Sequence, residues 1–184
     1  MKIDVFNHLY PPGFVEEFER AAPLLKDMGK RVRNISTLAN LDNRFRMMDE
    51  FGNYRQIISL ASPPIESYAA PDLAVHLARV ANDGMAELVR RYPDRFIAFA
   101  ASLPMNHPDA ALKELERAAG LGALGAQIFS NAAGKPLDAP EFLPLFDEVA
   151  RRDLAVWLHP ARGANFPDYR GEEKSKYEIW WTFG

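Results

Sequence analysis

The sequence has no cysteine, which excludes disulfides, thiolate zinc sites and cysteine nucleophiles. It has little charge bias. Its 22 basic residues face 25 acidic ones, for a formal net charge of -3, so the strongly basic face of a nucleic-acid-binding domain is not expected. Its apolar runs fall well short of the ~20 residues a membrane-spanning helix needs, so no membrane partner is expected either. No glycine-rich phosphate loop follows any apolar run, which argues against a nucleotide-binding Rossmann domain. Internal repeats and low-complexity tracts are also missing. Lys2 and Asp4 put charge inside any leader-like stretch, so a cytoplasmic location is expected. Histidine is scarce, with 4 in 184 residues, and each one can be weighed singly.

What is present is enough apolar content, 48% against 26% charged residues, to bury the core of a single domain. Five short apolar segments read as strands: Lys2–His8, Arg55–Ala61, Arg95–Leu103, Leu124–Phe129 and Leu154–His159. Runs such as Ile97-Ala98-Phe99-Ala100 are apolar on both faces, as in a parallel sheet covered on both sides. Between them, Pro71–Tyr92, Asp109–Ala119 and Pro140–Arg152 show helical periodicity. Pro108 and Pro140 suit first helical turns. Gly13–Ala21 and Asp42–Phe51 are expected to be helical, and Lys26–Arg33 to loop over the surface. After a long helical insertion behind the first strand, strand starts recur every roughly 30–40 residues, the length of a βαβ unit. The order is therefore α/β with a parallel sheet, either doubly wound or a barrel.

In a barrel, chemistry gathers at the C-terminal ends of the strands. His8 ends the first strand and His159 the fifth. Neutral imidazoles converging there suit a divalent metal, although a strand-end histidine is also a common hydrogen-bonded structural residue. Arg162, three residues past His159, could grip a substrate carboxylate in a bidentate pair, or be a solvated loop arginine. Ser130 and Asn131 follow the fourth strand, where they could orient a substrate or simply serve turn chemistry. Ser62 is a weaker case after the second strand. His76 reads as a helix-packing residue and His107 as a helix start.

The opening Lys2-Ile3-Asp4-Val5-Phe6-Asn7-His8-Leu9-Tyr10-Pro11-Pro12 resembles the first strand of the amidohydrolase superfamily. The branch it resembles includes aminocarboxymuconate semialdehyde decarboxylase. A second match runs from Gly134 through Phe142, Leu145 and Phe146 into Leu154-Ala155-Val156-Trp157-Leu158-His159-Pro160. The resemblance implies a (β/α)8 TIM barrel and a metal-dependent decarboxylase or hydrolase acting on a small unsaturated or aromatic carboxylate. It also implies a divalent metal held by His8 and His159, zinc first, with iron or manganese as alternatives. Family members carry His-x-His, or an acidic residue in place of the first histidine, on strand one. Here Phe6 stands in that place. A catalytic histidine after strand six and a metal-bound aspartate after strand eight are expected beyond residue 184. A (β/α)8 barrel takes roughly 250 residues, so residues 1–184 are expected to form its first five β/α units, with an insertion at 22–41. A homodimer is expected, with Trp180-Trp181-Thr182-Phe183 lining a pocket or a dimer contact. The competing expectation, resting on Phe6, is a metal-free binding or regulatory barrel, or an inactive barrel fragment.

Overall fold

The structure, a computed structural model, describes residues 1–21, 34–161, 167, 169–173 and 176. Its elements in chain order are β1 (Lys2–Leu9), α1 (Phe14–Ala21), α2 (Ser36–Ala39), α3 (Leu41–Asp49) and β2 (Tyr54–Leu60). A 3-10 turn (Ile65–Ser67) leads to α4 (Pro71–Arg91), β3 (Phe96–Ser102), α5 (Pro108–Gly120) and β4 (Ala123–Phe129). A second 3-10 turn (Pro140–Phe142) precedes α6 (Leu143–Arg151) and β5 (Ala155–His159). The strands form one parallel sheet in the order β1-β2-β3-β4-β5, curled as part of a (β/α)8 barrel. Among the described residues, no helix is long and apolar enough to cross a membrane.

Local chemistry accounts for the helix ends. The Asn40 side chain caps α3 by accepting from the Asn43 amide at 2.9 Å. Pro71 opens α4, with Asp72 in the first turn and Arg90 and Arg91 in the last, matching the helix dipole. The single helix expected over Pro140–Arg152 is instead a 3-10 turn followed by α6. Pro144 lacks the amide hydrogen an interior position would use, so it fits only near a helix start, and α6 begins at Leu143. Residues 22–33, most of the expected insertion and the whole of Lys26–Arg33, lie outside the described residues, as does Trp180–Phe183.

The main core, including Met48, Ile58, Met85, Phe96, Phe99, Leu115, Ile128 and Phe142, lies between the outer face of the sheet and α3–α6. A second cluster stacks Tyr10, Phe14 and Phe18 with the start of α4. One buried polar brace crosses the first core. The Asn82 amide donates to the Ser102 carbonyl at 2.9 Å and to Glu114 at 2.7 Å, and accepts from the Ser102 amide at 2.8 Å. It thereby ties α4 and α5 to the C-terminal end of β3, where every buried polar atom must find a partner. Gly125 leaves β5 room to lie against β4. A Cβ there would lie 1.9 Å from the Ala155 carbonyl oxygen, so β4 can pair β5 only through glycine.

Candidate active site

Strand β1 is not regular. Asp4 pairs with Gln56, but Asn7, not Phe6, pairs with Ile58, so one extra residue is inserted. This bulge shifts the alternation of side chains. Asp4 shares the outer face with Gln56 and Asn7, while Phe6 and His8 both face inward. Directly beside His8 on β2 is the buried Ser59.

The structure brings His8 and His159 together with ring centroids 5.0 Å apart. Their hydrogen bonds define their tautomers. The Ser59 hydroxyl donates to the Asn7 carbonyl at 2.8 Å, so it must accept from His8 Nδ1–H, also at 2.8 Å. His159 Nδ1 lies 2.7 Å from the Pro160 carbonyl, which can only accept. Both rings therefore carry Nδ1–H and keep a lone pair on Nε2; His159 Nε2 accepts a long hydrogen bond from the Ser62 hydroxyl at 3.4 Å. Nδ1–H held by an outer partner is the arrangement of metal-ligating histidines. Both rings are also neutral. Burial, then the nearby His159 and Arg44, pushes His8 down to about 4 against the pull of Asp4. Burial lowers His159 as well, partly opposed by the Pro160 carbonyl.

Aromatic groups wall the pair. Phe129, paired with His159 across β4 and β5, has its ring 4.8 Å from the imidazole. Phe6 meets His8 edge-on at 5.1 Å and stacks on His159 at 5.8 Å, yet stays 48% exposed. One layer deeper, the Trp157 indole N–H reaches across to the Val5 carbonyl on β1. Beside it the buried Gln127 donates to the Leu60 carbonyl at 2.9 Å.

A divalent metal fits this donor set in part. Two neutral imidazoles are apt ligands, but Phe6 offers no donor, and the described residues contain no group of three or more metal-ligating side chains. Ser130 and Asn131 take their place beside the pair by clamping the backbone after His159. The Ser130 hydroxyl accepts from the Ala161 amide at 2.9 Å and donates to its carbonyl at 3.1 Å. The Asn131 amide donates to the same carbonyl at 2.9 Å. Arg162 lies outside the described residues. His76 stands 3.6 Å from Glu17 on the surface between α4 and α1, and His107 precedes α5 as its N-cap, both away from the pair. A search confined to strand ends misses Ser59, Trp157 and Arg44. For Arg44 a signal exists: it precedes Met48 by four positions, on the buried face of α3.

Comparison with known proteins follows the same lines. The Amidohydrolase family profile matches residues 3–179. Gamma-resorcylate decarboxylase of Rhizobium radiobacter is 41% identical over 126 residues, covering 65% of this chain and 38% of that protein. The 2-amino-3-carboxymuconate-6-semialdehyde decarboxylase of Dictyostelium discoideum is 32% identical over 177 residues, covering 87% and 49%. A solved dihydroxybenzoic acid decarboxylase from Polaromonas, with bound manganese and the inhibitor 2-nitroresorcinol, superposes with a TM-score of 0.71. It is 32% identical and covers 88% of this chain and 50% of its own. The chain thus spans less than half the length of these two curated relatives. With the parallel half-barrel, the paired strand-end histidines and a family match over almost its whole length, the chain belongs to the amidohydrolase family.

Proposed function

We propose that this chain supplies the first five β/α units of a metal-dependent decarboxylase that acts on a small aromatic or unsaturated carboxylate. The observation that carries the reading is the His8–His159 pair, with ring centroids 5.0 Å apart at the C-terminal ends of β1 and β5, each with Nδ1–H held by an outer partner and its lone pair on Nε2. His8 and His159 would hold the metal. The manganese in the Polaromonas neighbour supports a divalent ion, and imidazole suits zinc, iron and manganese alike. When bound, such an ion would polarise a substrate oxygen as a Lewis acid.

The chain's own residues do the rest. Ser59 and the Pro160 carbonyl orient the two rings. Phe6 and Phe129 offer flat apolar walls that suit an aromatic ring. Ser130 and Asn131 hold the Ala161 turn from which Arg162 would reach a substrate carboxylate. The names of the relatives favour decarboxylation over hydrolysis as the reaction. Phe6 favours a second reading, a metal-free barrel that binds the same class of ligand.

The test is metal analysis of the purified protein together with carbon dioxide release from gamma-resorcylate. Stoichiometric metal that is lost in His159→Ala, with carbon dioxide release dependent on it, is the expected result. A protein that binds the aromatic acid but retains no metal and releases no carbon dioxide belongs to the second reading.

A further inference from the structure

Arg44 projects from α3 on the outer side of the sheet and is only 3% exposed. Among the described residues it has no carboxylate in an ion pair. Its partners are four neutral oxygens: the Thr37 carbonyl at 3.0 Å, Asn7 Oδ1 at 3.2 Å, Gln56 Oε1 at 2.6 Å and the His8 carbonyl. Burial lowers its pKa to about 10. A buried guanidinium with no carboxylate in direct contact, acted on by Asp4 only at longer range, is an unfavourable way to fill a core position, since an apolar side chain of similar size would pack without the desolvation cost. The placement of its partners explains what it does there.

Gln56 pairs with Asp4 on the near side of the β1 bulge; Asn7 and His8 follow on the far side. The guanidinium therefore staples the two sides of the bulge together. Asn7 is held further through Nδ2 to the Ile57 carbonyl at 2.8 Å. Its own carbonyl receives the Ser59 hydroxyl that in turn accepts from His8 Nδ1. Without the bulge, β1 would continue in simple register, and a one-residue slip exchanges the faces of a strand. Asn7 would then face the interior and His8 the helices.

We propose that Arg44 is the positioning residue for His8: by gripping both sides of the bulge it turns the His8 imidazole inward and, through Asn7 and Ser59, holds it as the Nδ1–H tautomer. This rests on the reading of His8 as a site residue but not on any metal or reaction. The planar fork matters, because one guanidinium must meet diverging acceptors on three elements at once, which a lysine ammonium on its single stem does not do.

The test uses the 15N-labelled chain, free of metal and substrate, and reads the imidazole nitrogen resonances at neutral pH. His159 serves as the internal control. In the wild type both histidines show one protonated and one unprotonated nitrogen. In Arg44→Met the separation between the two His8 nitrogens collapses while that of His159 stays, with circular dichroism unchanged. Arg44→Lys gives the same loss, and it decides the matter if Arg44→Met does not fold. Ser59→Ala, which leaves the fork intact, collapses the His8 pattern but keeps the β1 amide resonances in place. The proposal is overturned if His8 keeps its single tautomer in Arg44→Lys, or if His8 and His159 change together. A failed decarboxylation or metal assay leaves this measurement standing, because it involves neither.

Discussion

The ring of Phe6 stacks on the imidazole of His159 at 5.8 Å, on the inner face of β1 that His8 also occupies. A donor at this position would lie beside both imidazoles, and a phenyl ring supplies none. Phe6→Glu is therefore expected to tighten manganese or zinc binding by at least the ~10–100-fold that single supporting contacts carry in metal sites. Isothermal titration of wild type and variant measures it. Equal affinities would show that the pair does not bind metal through this face.

Gly125 lets β5 approach β4, and β5 carries His159. Gly125→Ala places a methyl group against the Ala155 carbonyl, whose oxygen would be 1.9 Å away. Backbone cannot yield as a side-chain tip does. The variant should lose at least the ~1–3 kcal/mol typical of overpacking, read as a lower urea midpoint, and the His8–His159 alignment should loosen with it.

Glu66, in the turn after β2, is buried with Oε1 unpartnered, and burial lifts its carboxyl from 4.5 to about 7. The folded state prefers the neutral acid, whereas the unfolded chain ionises from about 4.5 upward. The advantage of the protonated form is complete below 4.5 and is lost as pH rises through 7. Holding the proton across that window makes the loss roughly 3 kcal/mol. Unfolding curves over the same range should slope downward for the wild type, and Glu66→Gln should flatten them.

Strands β1 and β5 are the edges of the described sheet, and both carry exposed apolar side chains: Ile3, Val5 and Phe6 on the first, Val156 and Leu158 on the second. Such edges are sticky. Sedimentation equilibrium of the chain should show self-association, with a dimer the simplest product. A monodisperse monomer at high concentration would speak against it.

The order of strands and helices was readable because each strand here is a short apolar run bounded by proline, glycine or polar residues, and each long helix keeps its apolar stripe. Strand boundaries moved by a residue or two, and Pro144 divided one expected helix. His8 and His159 were visible as strand-end histidines, and the Phe6 departure was visible against the family pattern. Ser130 and Asn131 were visible as well, but their grip on the Ala161 backbone was not, since turn residues reveal their partners only when the loops are placed.

The sequence by itself determined the period of its elements, the absence of thiol chemistry and the two candidate ligands, because those depend on residue type and local spacing. The β1 bulge, the common Nδ1–H tautomer of both histidines and the task of Arg44 depend on groups far apart in the chain. Only the folded sheet decided them: a hydrogen bond needs its two atoms about 3 Å apart, and only tertiary packing brings Arg44, Asn7, Ser59 and His8 within that reach.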